Sequence, residues 1–324
     1  MTGGPDLVFG PMSSRRLGRS LGVNNITGKT CSYSCAYCQV GRTTCLCAEP
    51  RVFHQPEAVE RAVVGRLERA AAKGERIDYV TFVPNGEPTL DVHLGRVLRR
   101  LKGAGPRLAV ITNASLLWRP DVREELAEAD WVSIKIDTVQ GATWARLNRP
   151  HGRLSLDRVL DGIERFARGA SCTLTTETML VAGVNDRDDE MDAVARFVST
   201  LRPETAYLAV PLRPPAERWV RAPGLPALLR FRDVFERSLR RVRWLKEDDA
   251  GPCVDHGDPE AALLSIAAVH PVPSSDVERL LASVRGHWST IERLVRQGRL
   301  ERVRYRRRDF YRACAAPTPS NRLE

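Results

Sequence analysis

From about residue 76 to residue 245 the chain alternates short β-branched apolar runs with longer amphipathic stretches, and this restricts the fold more than any other feature. The strand candidates are DYVTFV (78–83), RLAVIT (107–112), WVSIKI (131–136), TLTTETML (173–180) and AYLAV (206–210), preceded by one around RSLGVNN (19–25). Helical periodicity fills the intervals at 57–72, 91–102, 121–128, 155–168 and 189–201. Ser155 reads as an N-cap, with Leu154 and Val159 as its hydrophobic staple. Strands separated by single helices pair in parallel, so the pattern predicts an α/β fold. Six βα units make an open or partial (βα)6 barrel, short of the eight that close one.

The pattern changes near Lys246, where EDDAGPCVDHGD is polar, carries Gly and Pro, and reads as a linker (246–258). Three short helical patterns follow at 260–269, 275–283 and 289–297, and then LERVRYRRRDFYRA alternates like a two-stranded ribbon with a basic turn. Three helices and a β-wing predict a small winged-helix-like domain over 259–315, with a flexible tail at 316–324 and the barrel occupying 1–245.

The formal net charge is +10, and from residue 285 to the end eleven Arg face four Asp or Glu. Arg304, Arg306, Arg307 and Arg308 surround Tyr305, with Phe310 and Tyr311 close by. Basic residues interleaved with aromatics suit RNA or another nucleic acid, and a solubilising or protein-docking role is the plainer alternative. No apolar run is long enough to span a bilayer, and MTGGPDLVFG lacks the basic and apolar regions of a secretory signal, so no membrane partner and a cytoplasmic address are expected.

Eight cysteines are present, and five of them (Cys31, Cys35, Cys38, Cys45 and Cys47) fall within seventeen residues. In a chain without a signal peptide such a cluster points to metal rather than disulfides. The stretch CSYSCAYC spaces three thiols as C-x3-C-x2-C. Thiolates so placed can ligate three irons of a [4Fe–4S] cubane and leave the fourth open, as a reacting metal site requires. The alternative is zinc, completed by Cys45, Cys47 or His54. Cys172 is expected to be buried and inert, Cys253 lies in the linker near Asp255 and His256, and Cys314 looks incidental.

CSYSCAYC resembles the cluster loop of the radical S-adenosylmethionine (SAM) superfamily, including Tyr37 just before the last cysteine. PNGEPTL (84–90), ITNAS (111–115) and SIKID (133–137) end the second, third and fourth strands, where the superfamily keeps its SAM contacts. GPMSSRRLGRSLGVNN, NGEPTL, LNRPHG and PLRPPAERWV together resemble the group related to the wyosine-base synthases, over roughly residues 8 to 220. The chain departs from those synthases in having no cysteine before Cys31 for a second cluster.

The resemblance implies that Cys31, Cys35 and Cys38 hold a [4Fe–4S] cluster. It implies that Tyr37, Gly86, Glu87, Asn113, Ser133 and Asp137 bind SAM. It further implies that a reductant such as flavodoxin or ferredoxin feeds the cluster, which cleaves SAM to a 5′-deoxyadenosyl radical that takes hydrogen from a substrate. Gly86 is expected to let the backbone approach a ligand closely. Weaker catalytic candidates are Arg213 as a carboxylate or phosphate clamp, Lys135 as a Schiff-base amine if burial lowers its pKa, and the Cys45–Cys47 pair. Arg15 and Arg16 could clamp an anion as Arg213 does. Three function classes follow: an enzyme modifying a nucleoside in RNA, a radical enzyme acting on a protein or small metabolite, and a non-catalytic iron–sulfur regulator on DNA.

Overall fold

The computed structural model describes residues 7–245, 259–283 and 286–314. The linker 246–258, with Cys253, Asp255 and His256, and the tail 316–324 lie outside the described residues.

The first part of the chain carries strands β1 (Val8–Ser14), β2 (Gly18–Val23), β3 (Thr30–Cys31), β4 (Cys45–Leu46), β5 (Tyr79–Phe82), β6 (Arg107–Thr112), β7 (Trp131–Lys135), β8 (Thr173–Met179), β9 (Thr205–Ala209) and β10 (Val242–Trp244). Its helices are α1 (Pro56–Ala72), α2 (Leu94–Leu101), α3 (Pro120–Leu126), α4 (Gly141–Leu147), α5 (Leu156–Gly169), α6 (Asp188–Thr200) and α7 (Leu225–Ser238). Among the described residues one sheet has eight strands in the order β1-β2-β5-β6-β7-β8-β9-β10. All neighbours from β2 to β10 pair in parallel, and only β1 is antiparallel, at the edge. The six expected strands are present, flanked by β1 and β10, which the sequence pattern does not announce. A Gly-Pro step interrupts the alternation in VFGPMSS, and proline is tolerated in strands mainly at edges.

Strand alternation divides the side chains between two faces. Leu21, Val80, Phe82, Leu108, Val110, Val132, Ile134 and Leu208 face the helices and share one core with Val59, Leu94, Leu98, Ile163, Phe166 and Val198. Each fully buried side chain of this kind contributes roughly 1.5–3 kcal/mol relative to exposure. The helices are therefore held by this packing more than by propensity. Ser155 sits at the N-cap of α5 with extended backbone, as expected, but its side chain makes no capping hydrogen bond.

On the inner face Ala109, Trp131, Tyr207 and Ala209 pack with Leu17 from the β1–β2 turn. Arg16 of the same turn pairs with Glu177 of β8.

The C-terminal part comprises α8 (Pro259–Val269), β11 (Val272–Pro273), α9 (Ser274–Ser283), α10 (Ser289–Arg296), β12 (Leu300–Tyr305) and β13 (Arg308–Ala313). What forms here is a small three-stranded antiparallel sheet, ordered β11-β13-β12, with a core of its own that includes Leu263, Ile266, Val277, Leu280, Ile291, Leu294, Leu300 and Tyr311. The basic ribbon is β12–β13, with Arg306 and Arg307 at its turn.

This unit bridges the two sides of the open barrel. Helix α8 packs on β1 and Met12 enters the C-terminal core, while Tyr305 Oη donates 3.1 Å to the carbonyl of Pro211, just past β9. Among the described residues no helix is long and apolar enough to cross a membrane.

Candidate active site

The C-terminal ends of the parallel strands open into a cavity of about 330 Å³, lined by Cys31, Cys35, Cys38, Tyr37, Gly86, Glu87, Asn113, Lys135, Glu177 and Arg213, among others. The cysteine loop is pinned to this mouth from several directions. β3 pairs in parallel with β4, and Cys47 N donates 3.0 Å to the Cys31 carbonyl. Ala36 N donates to Leu147 O at 2.8 Å, and Ser34 N reaches Asn148 O and Arg149 O at 3.1 and 3.0 Å. Glu217 N donates 3.0 Å to Ala36 O, and the Glu217 carboxylate accepts from Arg42 at 2.9 and 3.0 Å and from Arg149 at 2.5 Å. CSYSCAYC, LNRPHG and PLRPPAERWV are thus one assembly.

The seven described cysteines are all free thiols. Each thiol of the CSYSCAYC loop has a side-chain nitrogen beside it: Lys29 Nζ lies 3.1 Å from Cys38 Sγ, Asn113 Nδ2 3.5 Å from Cys31 Sγ, and Asn148 Nδ2 3.7 Å from Cys35 Sγ. Burial pushes Cys31 up to about 11 and Cys35 up to about 12. Burial also raises Cys38, but the Lys29 ammonium outweighs it and brings that thiol below its ordinary value. No three His, Cys, Asp or Glu side chains among the described residues form a single-ion site. A cubane asks for something else, since each thiolate meets its own iron. Three partly buried thiols on one loop, each with a donor beside its sulfur, fit that group.

The glycine-glutamate segment packs on the cysteine loop. A Cβ at Gly86 would lie 1.6 Å from the Thr30 carbonyl oxygen, so the close approach expected toward a ligand is made, in the protein, to the chain itself. Glu87 is buried and accepts from Thr89 N, Thr89 Oγ1, Thr112 Oγ1 and Asn113 N at 3.1, 2.7, 2.5 and 2.7 Å. Burial raises its pKa against the pull of these four bonds. Its side chain therefore braces the ends of β5 and β6 and leaves backbone edges toward the cavity. Asn113 joins the two sides, donating to Ser32 Oγ at 2.9 Å as well as to Cys31.

The family model described as the radical SAM superfamily matches residues 25–197, from the end of β2 through β8 and most of α6. The chain belongs to the radical SAM superfamily. It is accordingly an enzyme whose cofactors are a [4Fe–4S] cluster and SAM. The UPF0026 protein MJ1312 of Methanocaldococcus jannaschii is 36% identical over 307 residues, covering 94% of this chain and 95% of its own. A probable dual-specificity RNA methyltransferase RlmN of Rhodopirellula baltica is 24% identical over 232 residues, 68% of this chain and 58% of that protein. Among solved structures, a radical SAM methyltransferase from Sphaerobacter thermophilus superposes with a TM-score of 0.56 at 20% identity, covering 69% of this chain and 66% of its own. TYW1 with a lysine-pyruvate adduct bound gives 0.52 at 16% identity, over 69% and 76%. Both structural likenesses are of fold.

In this radical SAM enzyme the remaining expected residues divide between contact and support. Tyr37 lines the cavity, its hydroxyl donating to Asp137, with Lys135 Nζ 4.7 Å from its ring centroid. Asp137 is expected to touch SAM; in the protein its carboxylate accepts from Tyr37, from Asn148 Nδ2 at 2.7 Å and from Met179 N at 2.9 Å. Ser133 is buried, its Oγ has no partner within the protein, and it is not part of the cavity lining.

Lys135 lies 3.1 Å from Glu177, which also pairs with Arg16. Burial disfavours the Lys135 ammonium, but Glu177 and Asp137 outweigh it and raise the pKa. The lowered pKa that a Schiff-base amine needs is absent. Burial pushes the Glu177 carboxylate up, yet Arg16 and Lys135 prevail and hold it at about 2.

Arg213 lines the cavity as expected, whereas Cys45 and Cys47 do not. Cys45 Sγ accepts from Arg51 at 3.6 Å and Cys47 Sγ contacts the Glu49 carbonyl at 3.2 Å, so this pair belongs to the outer flank of the loop. Cys172 is half-buried at the start of β8, and Cys314 is exposed.

Sequence reading missed Glu177, Glu217 and His270. Glu177 left a trace, a lone carboxylate within a threonine-rich strand, in register with Lys135. Glu217 and His270 left none beyond their places in PLRPPAERWV and before Pro271.

Proposed function

We propose that Cys31, Cys35 and Cys38 hold the cluster and that SAM lies across the backbone edges of Gly86 and Asn113, beside Tyr37. On this reading the enzyme takes hydrogen from a nucleoside in RNA. The observation that carries the cofactor placement is the meeting of three partly buried thiols with the Gly86–Asn113 edge on one cavity. Held by Cys31, Cys35 and Cys38, a bound cluster would supply the electron for reductive cleavage of SAM. The protein's share is positional. Lys29, Asn113 and Asn148 stand beside the three sulfurs. Asp137 fixes the Tyr37 ring, and the Glu217 clamp keeps the loop in place. The C-terminal unit helps keep water from the cavity.

Two observations favour RNA over a protein or small metabolite. One relative carries the name of an RNA methyltransferase, and the β12–β13 ribbon presents Arg304, Arg306, Arg307 and Arg308. On this reading 1–245 is the catalytic barrel and 259–315 a winged-helix module. Its order of helix, strand, helix, helix, strand, strand supports that assignment. The same reading places the enzyme in the group related to the wyosine-base synthases.

The test is anaerobic reconstitution with iron and sulfide, followed by dithionite and SAM, with 5′-deoxyadenosine read by mass spectrometry. The expected result is 5′-deoxyadenosine that disappears in Cys35→Ala and forms faster with the right RNA. A loaded cluster that never cleaves SAM, even with cell extract, would favour the iron–sulfur regulator. Acceleration by a protein or metabolite fraction alone would favour the second class.

A further inference from the structure

The cysteine loop has two sides. Its inner side meets the cavity, whose lining includes all three thiols and, from the C-terminal unit, Val269 and His270. Its outer side is backed by the segment that follows, residues 41–53, none of which lines the cavity. Within that segment β4 pairs with β3, and the register sets Leu46 opposite Cys31. Cys47 N donates to the Cys31 carbonyl at 3.0 Å. Adjacent strands lie about 4.8 Å apart, so the Leu46 backbone is a single strand step from a cysteine of the loop.

This outer segment carries apolar side chains in the open. Among the described residues five large hydrophobic side chains are exposed, and two of them, Leu46 at 41% and Val52 at 54%, belong here. Arg51 joins the two. Its Nη2 reaches back to Cys45 Sγ at 3.6 Å, next to Leu46, and Val52 follows it in the chain. The guanidinium rests on neutral groups, Thr30 Oγ1 at 3.4 Å and the Phe53 ring at 4.9 Å.

Around this centre the charge is positive. Glu49 lies between Arg119 and Arg153 at 3.7 and 3.3 Å, and Glu217 between Arg42 and Arg149 at 2.9 and 2.5 Å. Arg119 also pairs with Asp121 at 2.7 Å. Together with Arg51, five arginines face three carboxylates. An apolar centre in a positive surround suits an acidic protein, because the charge steers the encounter and the apolar contact holds it.

The position decides what kind of protein. A cluster on Cys31, Cys35 and Cys38 takes up one electron for each SAM cleaved, while SAM and the substrate occupy the inner side. The electron donor therefore approaches from outside, where residues 41–53 are hydrogen-bonded to Cys31 itself. A flavin has an apolar dimethylbenzene edge, which matches Leu46 and Val52.

We propose that Leu46, Arg51 and Val52 form the centre of a docking surface for an acidic, flavodoxin-type electron carrier. The surface rests on the radical SAM reading given above and adds the side from which the electron enters. One electron leaves the anionic flavin hydroquinone, which becomes the neutral semiquinone, and passes to the cluster; no atom is transferred. Electron-transfer encounters bury less than about 1,200 Å² in total, so a patch of this extent is sufficient.

The test uses the full-length, anaerobically reconstituted enzyme and an acidic flavodoxin. Binding is titrated calorimetrically at rising salt, and 5′-deoxyadenosine is measured with either reduced flavodoxin or dithionite as electron source. Flavodoxin should bind, and more weakly as salt rises. Val52→Asp and Leu46→Asp should each weaken binding by about tenfold or more, since each removes an apolar contact and adds a repelling charge. Both should slow 5′-deoxyadenosine formation with flavodoxin and leave the dithionite rate and the iron content unchanged, which separates lost docking from lost folding. Leu225→Asp, at an exposed apolar residue of α7, should change nothing.

Flavodoxin that fails to bind, binds Val52→Asp as well as wild type, or binds independently of salt overturns the proposal. A ferredoxin that binds more tightly than the flavodoxin overturns the choice of carrier. If dithionite still yields 5′-deoxyadenosine in those cases, the radical SAM reading stands and only the docking surface falls.

Discussion

Replacing Gly86 by alanine tests how the cluster loop is held. The new methyl carbon would start 1.6 Å from the Thr30 carbonyl oxygen and 2.7 Å from its carbon, whereas Cβ contacts under 3.0 Å essentially do not occur. Thr30 must then retreat by about 1.4 Å. The obstruction is backbone, so no rotamer change relieves it. Retreat breaks the hydrogen bond from Glu87 N to Thr30 O, now 3.2 Å, and displaces the adjoining Cys31. Overpacking costs ~1–3 kcal/mol and the lost bond ~0.5–1.5 kcal/mol, together about 1.5–4.5 kcal/mol. Set against a typical stability of ~5–15 kcal/mol, the variant stays folded but its loop is out of place. The assay is iron bound per protein after reconstitution, measured beside the thermal midpoint. The expected result is a lowered midpoint and a larger loss of iron. Gly41→Ala is the control: nothing lies within 4 Å of its Cβ, and its φ of +104° makes its penalty conformational. It should lower the midpoint and bind more iron than Gly86→Ala. Full iron content and a wild-type midpoint in Gly86→Ala would refute the reasoning.

Other predictions address charge. Glu177, held at about 2 in the folded protein, lies below the unfolded value of ~4.3, so its pairing contributes fully above pH ~4.3 and is lost as pH falls toward 2. Glu177→Gln should cost about 3 kcal/mol at neutral pH and flatten the acid limb of a stability–pH profile; an unchanged limb would count against the Arg16–Glu177–Lys135 array. Lys29→Met removes the cation beside Cys38 and should make the loaded cluster harder to reduce, read as a more negative midpoint in a potentiometric titration. At the β12–β13 turn Arg306 and Arg307 hold φ of 49° and 65°, a conformation that Asn-Gly adopts more cheaply. Exchanging Arg306-Arg307 for Asn-Gly should stabilise the protein by about 1–2 kcal/mol in chemical denaturation. If both arginines contact single-stranded RNA, the same exchange should reduce the logarithmic salt slope of binding by about 1.4.

The parallel strands were legible because β-branched runs such as RLAVIT and WVSIKI meet helices on one face and a narrow interior on the other. The flanking strands were not: β1 is broken by Gly10-Pro11, and β10 is three residues long. The amphipathic α7 was also missed, since Pro215, Pro223 and Pro226 make its approach read as loop. At the site, the motifs at strand ends were visible because each is local. Their division of labour was not. Asp137 and Glu87 have the same residue types whether they bind a ligand or brace a neighbour, and only their hydrogen-bond partners show the second use. Glu177 pairs with Arg16 across 161 positions, and no local pattern carries that distance.

The Glu217 clamp also orders events during synthesis. Arg42 and its carboxylate partner are 175 residues apart, so the cysteine loop leaves the ribosome long before the group that secures it. At ~5–20 residues per second that interval is about 9–35 s. Throughout it the nascent chain displays three thiols on a loop that still lacks its Glu217 anchor. Iron–sulfur delivery to this chain must therefore wait for the barrel's last parallel strands or be carried out by a factor that shields the loop until they arrive.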